Sequence, residues 1–509
     1  FMSSGNASYI SHYYNPDDKM LSFFGRMNYS YQGKYLLSAT FRADGSSRFA
    51  KNNRWGYFPS VSAAWRLSEE EFLKRDWLDN LKLRFSYGTA GNNLIPSGQM
   101  SKTFSASSTT YLNQSNTYWS AGKLMDNPDL KWETTYTSNM GIDFGVFKNR
   151  LNGTVDIYKN NTRDLLMQFS VSGSGYDYQY RNMGETENKG LELVLNYTAI
   201  EKKDYGLSFS FNIGFNKSRI VSMGVMEDFG AASGWASTEI NVDYWIAKDG
   251  AVGDMYGYRL DGNGRYEVSD FQGYDETLNR WILKDGVPNT STSILGHYVR
   301  PGDIKLKDLN GKDGVTVDDR EIIGSSNPKN TGGFSVSGRV KGFDLTANFN
   351  WVYGNNVYNA NKIEFTSSRK YSYRNMIDLM ADGKRWTNLL PDGTISNDPA
   401  TLAQLNTSTT MWSPNIENGI FSDWAVEDGS FLRLSTLSLG YTIPSSLTNQ
   451  VGLSSLRFYL TGYNVFLLTN YSGYDPEVDT RRSSPLTPNV DYSAYPKSRQ
   501  IVFGVNLDF

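Results

Sequence analysis

The sequence predicts an all-β chain, a transmembrane antiparallel β-barrel with long extracellular loops. Three observations carry that prediction. Apolar and polar residues alternate with period two from one end of the chain to the other. The polar face of these runs is strongly polar, while the apolar face is rich in Phe, Tyr and Leu. The connections between runs switch between very short and very long.

Taken in order, the alternating runs cover 20–32, 35–43 and 55–67. Leu81, Leu83, Phe85 and Tyr87 then stand against Lys82, Arg84, Ser86 and Gly88. Runs at 133–147, 150–162 and 186–200 precede Leu207, Phe209, Phe211, Ile213 and Phe215, which alternate with Ser208, Ser210, Asn212 and Gly214. Beyond 332–341, Phe343, Leu345, Ala347, Phe349, Trp351 and Tyr353 sit on one face and Asp344, Thr346, Asn348 and Asn350 on the other. After 430–443 and 455–466, the chain closes on Ile501, Phe503, Val505, Leu507 and Phe509 opposite Gln500, Gly504, Asn506 and Asp508. This makes about thirteen strands, many near the roughly 9–11 residues that cross a bilayer at a tilt.

A soluble sandwich or propeller also alternates, but it rarely carries connections of 90–132, 163–185, 217–331, 354–429 and 467–497 beside turns as tight as Gln32-Gly33-Lys34 or Lys341-Gly342. Outer-membrane barrels do, with the tight turns on the periplasmic side. Aromatic residues gather at strand ends (Tyr29 and Tyr31, Trp55 and Tyr57, Trp351 and Tyr353, Tyr441, Tyr459, Tyr463), where interfacial girdles belong.

Composition agrees. Aromatics make up 14% of 509 residues, mean hydropathy is −0.50, and no run reaches the roughly 20 apolar residues of a transmembrane helix. A barrel passes that test unseen, since only every second residue meets lipid. A net charge of −3 gives no electrostatic footprint for nucleic acid. The chain has no cysteine, which excludes disulfides and thiolate metal sites and suits export through an oxidising compartment. The start shows no charged segment followed by an apolar core, so the expectation is a processed chain or a fragment. An odd strand count points the same way, because bacterial single-chain barrels have even numbers. Residues 1–509 are therefore expected to be the C-terminal portion of one transmembrane barrel domain.

Several motifs in a fixed order give the chain a resemblance to a known family. They are Phe24-Gly25-Arg26 with Tyr29, the stretch from Tyr35 to Phe49 that contains Arg42-Ala43-Asp44-Gly45-Ser46-Ser47, Trp55-Gly56-Tyr57-Phe58-Pro59-Ser60, and Leu83-Arg84-Phe85-Ser86-Tyr87-Gly88. Asn127-Pro128-Asp129-Leu130-Lys131-Trp132-Glu133, Asn182-Met183-Gly184, Asn188-Lys189-Gly190-Leu191-Glu192, Gly302-Asp303-Ile304, Asp308-Leu309-Asn310-Gly311 and Phe431-Leu432-Arg433-Leu434 follow. Over nearly its whole length the chain resembles the C-terminal half of the SusC-like TonB-dependent transporters of Bacteroidetes-type bacteria. The terminal Phe509 resembles the signal read by the outer-membrane insertion machinery. The resemblance implies a 22-stranded barrel, plugged from its N-terminal side, set in outer-membrane lipid and covered by a SusD-like surface lipoprotein. It further implies import of an oligosaccharide or a peptide, driven by the TonB complex. The plug, the TonB-contacting segment and the first strands are expected outside this chain, in an N-terminal partner segment. A passive porin or adhesive barrel without energy coupling is the competing reading.

Chemistry is sparse. The only histidines are His12 and His297, so neither a triad nor a multi-histidine zinc site is expected. Gly173-Ser174-Gly175 lacks the strand–helix context of a nucleophile elbow. No spacing of loop carboxylates singles out an acid/base pair, so no catalytic residue is predicted and no cofactor is required. The stretch Asp308 to Glu321 resembles a calcium loop, with Asp308, Asn310, Asp313, Asp318 and Asp319 as candidate Ca²⁺ ligands. Lys312 departs from that pattern, and a rigid turn held by Asx hydrogen bonds is the other reading. Asp261-Gly262-Asn263-Gly264-Arg265 reads as a turn. Trp235, Trp245, Tyr256, Tyr258 and Trp281, with Trp386, Trp412 and Trp424, are the loop aromatics that could stack on substrate or pack within their loops. Ser68 and Glu71 form a capping-box pattern in a predicted periplasmic connection.

Overall fold

The computed structural model describes residues 18–111, 114–171, 173–236, 240–312, 314–368, 374–480 and 484–509, and for 105–121 the backbone alone. His12 and Asp313 lie outside the described residues. Every predicted run is a strand: β1 (Met20–Tyr31), β2 (Tyr35–Ser46), β3 (Trp55–Arg66), β4 (Leu78–Asn92), β5 (Glu133–Val146), β6 (Leu151–Arg163) and β7 (Glu185–Glu201). The series continues with β8 (Tyr205–Ser222), β9 (Asn330–Val340), β10 (Phe343–Tyr353), β11 (Phe431–Thr442), β12 (Ser455–Thr469) and β13 (Gln500–Asp508). These strands form a 13-stranded antiparallel sheet paired in chain order, as hairpin-connected meanders do.

Two compact units divide the chain. In the first, one row across the sheet reads Tyr29, Leu37, Ala63, Phe85, Met140, all exposed. The adjacent row reads Asn28, Ser38, Ser62, Ser86, Asn139. The second unit repeats the contrast across three strands, with Leu345, Leu439, Leu460 beside Thr346, Ser438, Thr461. An apolar sheet face of this extent would be an aggregation site in water, but it is what an outer-membrane barrel presents to lipid. The opposite face carries ion pairs. Arg84 donates to Asp143 (2.8 Å) and Asp156 (2.9 Å) in the first unit, and Arg457 to Asp344 (3.0 and 2.7 Å) in the second.

Every second connection is short, at 32–34, 67–77, 147–150, 202–204, 341–342 and 443–454, and on the other side 47–54 is short too. At the first, Gln32 (φ 52) and Gly33 (φ 65) both take the left-handed conformation that a two-residue hairpin turn requires. In 67–77 the predicted capping box does not form. Two short 3₁₀ turns, Leu67–Glu69 and Glu71–Leu73, stand there without side-chain caps, and Ser68 Oγ is buried without a partner among the described residues. Glu71 pairs instead with Lys74, while Glu70 accepts from Lys34 Nζ (3.0 Å), Tyr35 Oη (2.8 Å) and Trp65 Nε1 (3.1 Å). A tertiary anchor has replaced the local cap.

The long connections are not structureless. In the first unit Phe49, Phe58, Ile95, Leu130 and Trp132 bury one another at the strand ends. In the second unit, the loops after β8 and β10 together bury Tyr258, Tyr266, Phe271, Trp281, Leu306, Val315, Met380, Trp386, Leu402, Met411 and Trp412. A second core joins Trp235, Tyr244, Met255, Ile323, Tyr358, Phe421 and, from the loop after β12, Val490. A four-stranded sheet made of Asp228–Ala231, Tyr244–Ala247, Asp254–Gly257 and Glu321–Ser325 lies over that core.

Candidate functional site

The site is built where the polar face of the second unit meets its folded loops. Along β11 the even positions Thr436, Ser438 and Gly440 lie opposite polar Asn348, Thr346 and Asp344. Strict alternation would then turn the odd-numbered Arg433 toward lipid. A bulge prevents this: the register shifts between Leu434 and Thr436 against both neighbouring strands, and Asn464 on β12 takes φ 52. The shift places Arg433 opposite Asn350, on the polar face. There its Nη2 donates to both carboxylate oxygens of Asp475 (2.7 and 2.9 Å) and lies 3.0 Å from Glu477, while its Nη1 donates to Asn464. Lys497 closes the cluster on Glu477 at 3.0 Å. The loop after β12 is thereby tied to the wall, and Arg433, Asn464, Glu477 and Lys497 sit with Ser435, Tyr463, Ser498 and Gln500 around a polar concavity of about 450 Å³.

The predicted aromatics divide by burial. Trp235, Tyr258, Trp281, Trp386 and Trp412 are buried in the loop cores. Trp235 Nε1 donates to Tyr358 Oη at 2.6 Å, across 123 residues of sequence. Trp245 and Tyr256 are half-buried and stack on the outward face of the four-stranded loop sheet, with centroids 4.7 Å apart and Arg320 over the Tyr256 ring at 4.9 Å. Trp424 is half-buried against Trp412 (4.6 Å, edge-on) and receives Lys362 Nζ over its ring at 4.2 Å. Lys362 also pairs with Glu427, and its burial pushes its pKa down.

The Asp308 to Glu321 loop is organised around Asp319. That fully buried carboxylate accepts from the backbone N–H groups of Leu309 (2.9 Å), Asn310 (3.1 Å) and Thr316 (2.8 Å). Asp308 accepts from Gly311 N–H and Asn310 from Lys312 N–H, as in Asx turns. Asp318 is exposed at the following 3₁₀ turn. Among the described residues, no three His, Cys, Asp or Glu side chains converge on one point as metal ligands would.

Two further loop carboxylates were not foreseen. Asp243, fully buried, accepts from Ser233 through both its N–H and its hydroxyl, and burial pushes its pKa up to about 6. Asp303 is likewise raised to about 6 by burial, against the pull of His297 and Arg300. Asp243 follows Val242 in unremarkable loop sequence, so nothing local marks it, whereas Asp303 falls in the Gly302-Asp303-Ile304 motif, which does not announce its burial. Arg433 did leave a signal: a cation on the wrong parity of an otherwise regular strand implies a bulge.

The family model for the TonB dependent receptor-like β-barrel matches residues 2–336. The TonB-dependent receptor P3 of Formosa agariphila is 31% identical over 504 residues, covering 97% of this chain and 46% of that protein. SusC of Bacteroides thetaiotaomicron is 27% identical over 507 residues, covering 97% and 44%. The chain thus spans about half the length of the curated relatives it matches. Among solved structures, the RagAB peptide transporter superposes with a TM-score of 0.72 at 26% identity, over 97% of this chain and 48% of that one.

Proposed function

This chain belongs to the TonB-dependent receptor β-barrel family, is SusC-like and resides in the outer membrane, and from that footing we propose that it forms the C-terminal wall of a nutrient importer. The observation that carries this reading is the combination of a polar face that carries ion pairs with folded, aromatic-rich loops. A ligand crossing such a lumen meets hydrogen-bonding groups, and charges such as Arg84 and Arg457 are already held by carboxylates. The substrate is an oligosaccharide or a peptide, held without chemistry by loop aromatics such as Trp245 and Tyr256. RagAB, whose fold this chain shares, is a peptide importer.

In this proposal the barrel is completed by strands that pair the outer edges of β1 and β13. All twelve residues of β1 are exposed, as are eight of the nine in β13, a condition that unpaired backbone in lipid does not tolerate. Those strands, the plug and the TonB-contacting segment belong to the part of the relatives' length that this chain does not span, and a SusD-like lipoprotein covers the mouth. Gentle detergent extraction followed by intact mass spectrometry tests the assembly. A plug-bearing segment and a lipoprotein should co-purify in near-stoichiometric amounts, and uptake should stop when the TonB complex is deleted. A closed barrel with neither component, taking up solute without TonB, would establish a passive porin or adhesin instead.

A further inference from the structure

Parity sorts the side chains of the first unit between two faces. On β6, Asp156 accepts from Arg84, Thr162 hydrogen-bonds with Thr135, and the ring of Tyr158 lies against Gly190 of β7, so the even positions here share the polar face. The odd positions, such as the exposed Ile157, are on the outward apolar face. Among the described residues, the outward rows from Leu21 to Tyr31, Tyr35 to Gly45, Trp55 to Trp65, Leu81 to Gly91 and Thr134 to Phe144 hold no charged residue. On β6 and β7 the same face becomes charged toward the long connection 164–184. Lys159, Arg163, Glu185, Glu187 and Lys189 meet there.

Glu187 is the base of this cluster. Its side chain is 8% exposed, with Lys159 Nζ 2.7 Å from one oxygen and Lys189 Nζ 2.8 Å from the other, while the lysines are 50% and 57% exposed. An ammonium has three N–H donors, so the covered carboxylate holds two cations side by side with donors to spare on the exposed side. Arg163 Nε is 3.3 Å from Glu185, and its guanidinium lies over the outward ring of Tyr136 at 5.4 Å. Three cations against two carboxylates leave an excess of positive charge.

We propose that this patch binds a phosphate group of the glycolipid in the outer leaflet, whose acyl chains lie over the apolar rows that begin at Ile157. Phosphate oxygens accept from Lys159 and Lys189 together, and basic residues bordering an apolar belt are drawn to an anionic leaflet. A girdle of solvated charges would recur around the sheet, and confinement to two neighbouring strands fits one ligand. The inference needs the outer-membrane setting but not the importer reading.

The test uses the full transporter, purified with its partners in detergent and stripped of lipid. Native mass spectrometry follows its titration with phosphorylated lipid A, with the same lipid after phosphatase treatment, and with inorganic phosphate. Phosphorylated lipid A should bind about thirtyfold more tightly than the treated form. Lys159→Gln combined with Lys189→Gln should abolish that preference, whereas Lys123→Gln, in a loop ion pair with Asp177, should keep it. Equal binding of the two lipid forms would overturn the proposal, as would a preference that survives in the double variant. Inorganic phosphate binding as tightly as the lipid would also overturn it, by making free phosphate the ligand. The two lipid forms are compared on the unaltered protein, so that result decides even where the double variant fails to fold.

Discussion

Arg433 and Asp475 form a buried, two-pronged ion pair, 6% and 9% exposed, that holds the loop after β12 against the barrel wall. Neither partner is in water, so the pair is worth most through what happens when half of it is removed. Asp475→Ala leaves a buried guanidinium with Glu477 as its one remaining carboxylate partner among the described residues and should destabilise the loop by about 3–5 kcal/mol. Limited proteolysis should then cut within 470–499 while the strands stay intact. Asp475→Asn, which keeps one acceptor, should give an intermediate effect. Equal protease resistance in all three proteins would show that the loop is held by Val490 and its neighbours instead.

The bulge that delivers Arg433 makes its own prediction. Asn464 sits at φ 52, where Asn is tolerated and a β-branched residue is not. Asn464→Val should cost about 1–3 kcal/mol through backbone strain together with the lost acceptor for Arg433. Asn464→Gly should recover the backbone share but not the hydrogen bond. Thermal unfolding of the two variants separates these contributions. Similar losses for both would place the whole cost on the hydrogen bond.

How much of this was legible follows from the range of the interactions. Strand positions such as Leu345, Leu439 and Leu460 are set by period-two alternation, which any single segment displays. All thirteen strands were readable for that reason. The loop cores were not, because their contacts join residues far apart in sequence. Tyr358 packs under Trp235 and Tyr244, and Val490 reaches the same core from a third loop. Burial of Trp281 and Trp386 was anticipated as one alternative, yet nothing in a lone tryptophan decides between packing and display. The Ser68 capping box misled because a local pattern competes with a tertiary one, and here Lys34, Tyr35 and Trp65 offered Glu70 more than a cap could.

Asp243 should make the loop core sensitive to pH. Its folded-state pKa of about 6 exceeds the ordinary 3.8, so the folded loops hold the proton better than the unfolded chain. The resulting stability is fully present below about pH 4 and is lost as pH rises through 6. Asparagine imitates the protonated form and can keep both contacts with Ser233. Asp243→Asn should therefore stabilise the loop core by up to about 3 kcal/mol at pH 8 and by nothing at pH 4. Tryptophan fluorescence during thermal unfolding at the two pH values reads this directly. A stabilisation independent of pH would mean that Asp243 has the same pKa in the folded and unfolded chain.

Glu70 carries the opposite sign. Hydrogen bonds from Lys34, Tyr35 and Trp65 hold its pKa down to about 2, so its contribution is complete above about pH 4.5 and fades as pH falls toward 2. Glu70→Gln should loosen the 67–77 connection at pH 7, seen as faster hydrogen exchange there. The difference from wild type should shrink in acid. A gap that stays constant from pH 7 to pH 3 would point to lost packing rather than lost charge.

The two faces of the sheet differ by one residue along each strand, and that permits a direct test of which one meets lipid. Leu439 is exposed in the row with Leu345, Leu460 and Phe503, while its neighbour Ser438 shares a hydrogen bond with Thr461 on the other face. Leu439→Arg places a charge in the hydrocarbon and should cost about 2–4 kcal/mol at mid-bilayer depth, seen as loss of the heat-resistant folded form on gels. Ser438→Arg, aimed at the polar lumen, should assemble nearly as well as wild type. Because the chain contains no cysteine, Leu439→Cys and Ser438→Cys can be labelled without background. A lipid-soluble maleimide should mark the first and a water-soluble one the second. Reversal of that labelling would turn the sheet inside out and place the Arg433 cluster in the membrane, where an ion network of that size has no partner for its remaining donors.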